Sequence, residues 1–407
     1  MVASTHAERF ATSSATKRHH FLELLDKHLE GRVTFVVDGE KVTVGRGRPG
    51  LAGADAVIHV YDTRVFNRVL AAGNLGLGES FMARDFTMVE GTLEDFLILL
   101  LRSRLDEKIS NDPVAALKVL GTRVMDTLRG KKDNIKRHYD IGDDLFESFL
   151  DSNLIYSCGY AKSATDDVET LQFQKLERIC QKLRLKPGER LVDIGCGYGG
   201  LLAHAAKHHG VTGMGITISR HHCDRGNANI ARQGLSDKVQ IHFEDHLKIE
   251  GGFDKWVSVG MMEHVPRREY RAYFKNIARV LGPKGFGLVH TIGCNAAVNV
   301  HDPFIQKYVF PGSNQPRLSE IAEGLEQNKL AIVDVENMVR HYAITGRRWL
   351  EGFRAAKLDK AKYDDTFHRM WEYYLACGIA GMTASDTALY QVLFTKDYGA
   401  ELPLQRV

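Results

Sequence analysis

Two hydrophobic rhythms run along this chain. Val33-Thr-Phe-Val-Val37 and Val42-Thr-Val44 follow the two-residue period of half-buried strands, and Asp38-Gly39 between them predicts a hairpin. Ala56-Val-Ile-His-Val60 predicts a third strand. His19 to Leu29, Asp62 to Ala72 and Gly91 to Leu101 read as helices, Gly73 to Phe81 as a glycine-rich loop, and Arg102 to Asp112 as a polar break. These elements predict a smaller α+β N-terminal domain over residues 1–125, followed by a basic, polar linker over 126–137.

After the linker, strands and helices alternate. Thr170 to Leu183 carries apolar residues at 171, 173, 176, 179, 180 and 183, one helical face, and Pro187-Gly188 ends it. Leu191-Val-Asp-Ile194 is a short buried strand, followed at once by glycines and by a helix over Leu201 to His209. Further strands follow at Val211 to Ile216, Val239 to Phe243, Trp256 to Val259 and Phe286 to His290. Helices separate them at Arg220 to Gln233 and at Arg268 to Leu281, the latter closed by Gly282-Pro283. Residues 292–330 read as an irregular insertion with turns at Asp302-Pro303 and Pro311-Gly312. Ala331 to Val335 and Ala388 to Phe394 complete the strands, with aromatic-rich helices at Trp349 to Phe353 and Tyr363 to Leu375. This alternation predicts an α/β domain over 138–407 with a doubly wound, parallel sheet.

Ligands of such sheets bind beyond the C-terminal strand ends. Asp193, Thr217, Asp245, Glu263 and His290 all fall there. Gly195, Gly197 and Gly199 allow a sharp bend and close approach of backbone to a ligand. The spacing is G-x-G-x-G with an acid inside the strand, which suits a ligand bearing a positive group, such as the amino-acid part of S-adenosylmethionine. A tight strand-to-helix turn in another α/β enzyme satisfies the same residues.

Composition narrows the picture. The hydrophobic (44%) and charged (26%) fractions suit a globular chain, and a net charge of +3 is too small to argue for nucleic acid. Locally, Arg123, Arg129, Lys131, Lys132, Lys136 and Arg137 form a basic run that suits either anionic lipid, at about 1 kcal/mol per basic residue, or a solvated linker. The six cysteines are scattered with no C-x-x-C pair, as expected of reduced thiols in the cytoplasm. Residues 1–17 lack the apolar core of a signal peptide, and no apolar run approaches the ~18 residues of a membrane span, so any membrane contact is expected from one side. His204 and His208 stand four apart on a helix without the Glu of H-E-x-x-H, so they read as a solvated face and no metal site is expected.

Five motifs in order then carry a resemblance. Tyr156-Ser157-Cys158, Asp193-Ile-Gly-Cys-Gly197, Gly215-Ile-Thr-Ile-Ser219, Ser258-Val-Gly-Met-Met-Glu-His264 and His290-Thr-Ile-Gly293 resemble the cyclopropane-fatty-acyl-phospholipid synthases and the mycolic acid cyclopropane synthases, over about residues 135–395. The resemblance implies a Rossmann-like, seven-stranded methyltransferase sheet with S-adenosylmethionine as cofactor. It implies methyl transfer to the cis double bond of an unsaturated phospholipid acyl chain, leaving a carbocation that closes to a cyclopropane on losing a proton to bicarbonate. The bicarbonate pocket carries over to Cys158, Glu263, His290, Ile292 and Tyr342, all present here. The cofactor would use Tyr156, Ser157, Asp193, Gly195, Gly197, Thr217, Ser219, Glu244, Asp245 and His246, with Asp245 suited to the adenine amino group. A homodimer, peripheral at an anionic inner membrane face, is also implied. Aromatic faces at Tyr308, Phe310, Tyr342, Trp371 and Tyr374 are candidates for cation–π stabilisation.

Three positions depart from the common pattern: Ala161, Tyr198 and Met262 stand where larger aromatics are usual. They are expected near the reaction centre and keep open an enzyme that leaves a methyl branch or a methylene without closing a ring. A small-molecule methyltransferase and an inactive lipid-binding module are the other rivals. Cys158 as a covalent nucleophile lacks a His at recognisable local spacing, and the alkene is itself the nucleophile.

Overall fold

A computed structural model describes residues 16–47, 55–110, 142–296, 301–402 and Leu404. The basic run at 123–137, and with it the proposed linker, lies outside the described residues. Contacts divide the chain into two units: Met1–Gly142 with Asp302–Pro311 and Lys357–Ser385, and Asp143–His301 with Gly312–Ala356 and Asp386–Val407. Chain order alone had assigned 302–311 and 357–385 to the second half.

In the first unit, β1 (Arg32–Val37) pairs antiparallel with β2 (Glu40–Val44) through a turn whose Asp38 and Gly39 both take positive φ, 52° and 83°. β3 (Asp55–Val60) lies parallel to β1, and β4 (Phe86–Glu90) antiparallel to β3, giving the order β2-β1-β3-β4. Val33, Phe35 and Val37 alternate into the core, where Phe35 meets Phe21 and Phe66. Two expectations are corrected here. The stretch read as a glycine loop is a helix, Asn74–Met82, and the polar break contains another, Leu105–Ser110. The glycines serve contact rather than bending. A Cβ on Gly76 would lie 2.0 Å from the Arg68 carbonyl oxygen, and one on Gly78 would lie 2.4 Å from the Phe304 ring. The helix Asp365–Ala384 packs on this helix and on Leu93–Arg102, with the Tyr373 hydroxyl 2.6 Å from Asn74 Oδ1.

The second unit is a seven-stranded sheet ordered β10-β11-β9-β8-β5-β6-β7. Its strands are β5 (Arg190–Ile194), β6 (Thr212–Thr217), β7 (Val239–Phe243), β8 (Phe253–Val259), β9 (Leu281–Cys294), β10 (Ala331–Asn337) and β11 (Thr387–Thr395). β7, β6, β5, β8 and β9 run parallel to one another, and β11 is antiparallel to both β9 and β10. After the exposed Arg190, β5 is apolar apart from Asp193 because both faces are covered. Val192, Ile194 and Trp256 face one cluster with Tyr273 and Phe274; Leu191, Val257 and Leu288 face the other, with Leu176 and Ile179 of the helix Val168–Leu183.

Gly282-Pro283 does not form a loop before β9: the helix ends at Val280 and the strand begins at Leu281, with Gly282-Pro283 in a register shift against Phe253 and Lys255. The supposedly irregular insertion is also more ordered than its pattern suggests. Asp302-Pro303 starts the helix Pro303–Tyr308, with Asp302 Oδ1 accepting from the Phe304 and Ile305 amides, and Leu318–Gln327 is a second helix. Trp349 lies within a longer helix, Val339–Ala355.

Replacing Gly78 by Ala should force the Phe304 or Tyr373 ring aside and lower stability by about 1–3 kcal/mol, the usual scale for overpacking. Chemical denaturation of wild type and variant measures this, and an unchanged midpoint would show that the helix contact tolerates the methyl group.

Candidate active site

The turn after β5 is built by glycines in the left-handed region: Gly195, Gly197 and Gly199 have φ of 76°, 55° and 80°. A Cβ on Gly195 would strike Met261 and one on Gly199 would strike Ile241, whereas one on Gly197 would meet nothing within 4 Å. Gly197 therefore leaves its space open beside the strand end, as a ligand-facing backbone requires. Just before the turn, Asp193 is 3% exposed and its Oδ1 has no hydrogen-bond partner. Burial raises its pKa to about 7, against the opposing pull of the Lys175 ammonium.

Lys175, which sequence periodicity concealed inside a helical face, is also buried. Its Nζ donates to Ser157 Oγ at 3.1 Å, and desolvation lowers its pKa to about 8. Asp151 shapes the neighbouring loop, its two oxygens accepting from the Ile155 and Asn153 amides at 2.7 and 3.1 Å. The Gln172 amide then holds the Ser157 carbonyl at 2.8 Å. Tyr156 lies against Phe146 and Trp349, each with ring centroids 5.1 Å away. Thus Tyr156 and Ser157 are held in place by Asp151, Gln172 and Lys175, three residues that the motif reading missed.

The remaining cofactor candidates lie at the ends of β6 and β7. Thr217 is buried, and its Oγ1 accepts from the Ser219 amide at 3.2 Å. Ser219 Oγ accepts from His222 N and so caps the helix Arg220–Arg232. Asp245 Oδ1 caps the turn at His246–Lys248, while Glu244 and Asp245 remain exposed. The Thr217, Ser219 and Asp245 side chains each shape a strand-end loop, and both hydroxyls keep their protons available for donation.

The five residues carried over for an anion are brought together within the sheet unit. Cys158, Met338 and Leu389 form a small buried cluster, with Ile292 and Tyr342 packed against it. Glu263 stands on the short turn Met262–His264 after β8, and its Oε1 accepts from the Ile292 amide at 2.6 Å. Its Oε2 is buried without a partner, and burial raises its pKa to about 7. His264, beside it, is exposed. Asn314 clamps this turn: its amides bond the Glu263 and Val265 carbonyls, and its Oδ1 accepts from the Tyr270 hydroxyl at 2.6 Å. Asn314 lies in the insertion that had no readable pattern. His290, two residues before Ile292 on the same face of β9, is 1% exposed, and its Nε2 is buried without a partner. Burial, together with the Lys175 and Lys182 charges, keeps its imidazole neutral. Burial also pushes the Cys158 thiol far above its ordinary range, which leaves no thiolate for nucleophilic attack.

The unusual positions separate. Met262 is fully buried in the sheet core with Trp256 and Phe274. The Tyr198 hydroxyl donates to Asp143 Oδ1 at 2.7 Å, tying the helix Asp143–Glu147 to the glycine turn; Trp has no hydroxyl with which to make this bond. The Ala161 amide bonds His341 Nδ1, whose ring stacks on Tyr160 at 4.3 Å. Among the aromatic candidates, Tyr342 belongs to the sheet unit, whereas Tyr308, Phe310, Trp371 and Tyr374 belong to the other, where Phe310 and Trp371 both contact Tyr374. The histidine pair read from spacing also regroups: His204 joins His209, both within hydrogen-bonding distance of Glu177 Oε2, with Cys180 close by.

Three comparisons bear on this geometry. Residues 127–392 match the family of mycolic acid cyclopropane synthetase. The chain is 38% identical over 355 residues to the cyclopropane-fatty-acyl-phospholipid synthase of Escherichia coli K12, covering 86% of this chain and 91% of that one. It is 33% identical over 282 residues to a probable fatty acid methyltransferase of Pseudomonas putida, covering 66% and 71%. The mycolic acid cyclopropane synthase CmaA1, solved with SAH and CTAB, superposes with a TM-score of 0.59 at 25% identity, covering 63% of this chain and 95% of that one. Fold, glycine turn and sequence agree, and the chain belongs to the mycolic acid cyclopropane synthetase family as an S-adenosylmethionine-dependent methyltransferase of the cyclopropane-fatty-acyl-phospholipid synthase type.

Proposed function

We propose that this chain transfers a methyl group from S-adenosylmethionine to the cis double bond of an unsaturated phospholipid acyl chain and then closes a cyclopropane ring. The observation that carries this reading is a set of three buried polar atoms without partners: Asp193 Oδ1 near the end of β5, Glu263 Oε2 just past β8, and His290 Nε2 within β9, two residues before Ile292 of the apolar cluster. Buried polar groups left unpaired cost about 1–3 kcal/mol each, so such a set calls for polar ligands. S-Adenosylmethionine, when bound, supplies the electrophilic methyl group, and bicarbonate supplies the base for the proton lost on ring closure.

The residues present fit both groups. Asp193 is a carboxylate for a cofactor ammonium, and Gly197 gives the backbone room to approach. Methyl transfer to one alkene carbon leaves the acyl chain positive at the other. Ring closure requires the electrons of a methyl C–H bond to form the third carbon–carbon bond while the proton departs. The Cys158, Met338 and Leu389 cluster keeps water from the cation, and Glu263 orients the base by accepting its O–H at Oε2. His290 Nε2, also buried without a partner, is a second polar atom available to the bound bicarbonate. A methyl or methylene product without a ring is the second reading, favoured by the changed residues Ala161, Tyr198 and Met262 and by the likeness to the Pseudomonas putida methyltransferase.

The same reading places the enzyme in the cytoplasm, at the inner face of an anionic membrane, as a homodimer. Its support is the basic run Arg123 to Arg137 and an acyl substrate that resides in the bilayer. No helix among the described residues is long and apolar enough to cross a membrane.

Purified protein given S-adenosylmethionine, bicarbonate and unsaturated phospholipid vesicles should yield acyl chains heavier by one methylene, and mass spectrometry with chromatography should find no remaining double bond. A product of that mass that retains an alkene would establish the second reading, and no mass change would overturn both. Glu263→Gln should lower turnover by about 10²–10⁴-fold, the range of a positioned acid–base group, while S-adenosylmethionine affinity by calorimetry stays near wild type. Oε1 is held by the Ile292 amide, so protonation falls on Oε2 and turns that acceptor into a donor, and wild-type turnover at fixed bicarbonate should fall as pH drops through about 7. Residual turnover of the Gln variant should lack that limb. Sedimentation should show tighter binding to anionic than to zwitterionic vesicles, and equal binding would remove the electrostatic docking claim.

A further inference from the structure

His290 does not stand alone on β9. Across the sheet, Glu336 of β10 registers against Gln391 of β11, and Gln391 registers against His290. The helix Val168–Leu183 lays Lys182 over this row. Lys182 Nζ donates to Glu336 Oε2 at 2.5 Å and to Gln391 Oε1 at 2.7 Å, and Gln391 Nε2 lies 3.1 Å from His290 Nδ1. Arg178 grips the same Glu336 carboxylate through two nitrogens, at 3.0 and 2.8 Å. Gln391 is 0% exposed and Lys182 4%, so water does not compete for these contacts.

Donor and acceptor rules settle each direction in turn. An ammonium only donates, so the Gln391 atom facing Lys182 is its carbonyl oxygen. The amide nitrogen, which also only donates, then faces His290, and Nδ1 must accept. A neutral imidazole that accepts at Nδ1 carries its proton on Nε2, the atom buried without a partner. We propose that Gln391, locked in orientation by Lys182, is a positioning residue that fixes His290 as its Nε2–H tautomer and presents that N–H to the bound bicarbonate. The inference rests on the bicarbonate reading above and adds to it what decides the polarity of the site. Glu263 offers an acceptor and His290 a donor, which a bicarbonate matches with its one O–H and its anionic oxygens. Without Lys182 the Gln391 amide is free to turn its oxygen toward the ring, which would draw the proton to Nδ1 and convert Nε2 into an acceptor.

The test is nitrogen NMR of the unliganded enzyme labelled with 15N-histidine, the His290 signal being assigned by its loss in His290→Phe. Wild type should show a neutral ring protonated at Nε2. Lys182→Met should shift population to the Nδ1–H tautomer, Lys182→Arg should restore the wild-type pattern, and Gln391→Met should give a mixture. Where the tautomer is disturbed, the bicarbonate concentration for half-maximal turnover should rise about ten- to a hundred-fold, the scale of one lost hydrogen bond to a charged group, with S-adenosylmethionine affinity unchanged. A wild-type ring protonated at Nδ1, or a tautomer indifferent to Lys182→Met and Gln391→Met, overturns the positioning role whatever the activity does. If the tautomer switches as described while bicarbonate dependence stays constant, the orientation stands, and the bicarbonate reading and the presentation of the donor to it fall.

Discussion

Two buried ammonium groups on one helix set the terms for the site. Lys175 and Lys182 are seven residues apart, two turns of Val168–Leu183, so both project from the face that covers the sheet. Each is at most 4% exposed. An unpaired ion in such a place costs several kcal/mol, more than the apolar contacts of one side chain return, so each must be matched by polar groups packed against the helix. Lys182 is matched by Glu336 and Gln391. Lys175 has the Ser157 hydroxyl and acts electrostatically on Asp151 and Asp193. The arrangement fixes which strand positions are polar, and those positions are the strand ends and the row that reaches His290.

The division of labour follows from that pairing. At the end of β5 the charge balance keeps a carboxylate open beside a backbone turn that carries no side chains. At β9 the same helix leaves a neutral imidazole, with its neighbour Glu263 held by the Ile292 amide. Packed against Ile292 and Tyr342, the Cys158 cluster is buried and apolar. A site with few, directed polar groups inside an apolar wall suits the proposed route through a carbocation, which would have to survive long enough to lose one particular proton. Burial makes Cys158 part of this wall rather than a nucleophile.

Some departures from the common family pattern have local explanations. Tyr198 replaces bulk with a hydroxyl that bonds Asp143, and His221 and Arg225 converge on the same carboxylate. Its effect is on how the helix Asp143–Glu147 is fastened beside the glycine turn. Met262 fills the sheet core behind Glu263, where its flexible chain suits a wall formed by large rings.

The alternation of short apolar runs with amphipathic stretches determined the α/β sheet, its strand sequence and the hairpin at Asp38-Gly39, because burial on two faces or one leaves a period that local reading detects. The glycine turn and the polar residues at strand ends were legible for the same reason: chain order alone puts them at the ligand edge of a parallel sheet. Tertiary structure alone decided the rest. Gly76 and Gly78 read as a loop because glycine's use in close helix packing depends on partners, Arg68 and Phe304, that are far apart in sequence. Lys175 and Lys182 hid within an apolar face because their value depends on Asp193 and Gln391, brought near only when the helix covers the sheet. Asn314 carried no signal, since its role is to bond the carbonyls of a turn some fifty residues earlier in the chain. Periodicity records how much of a residue is buried; its partner across the fold decides what that residue does.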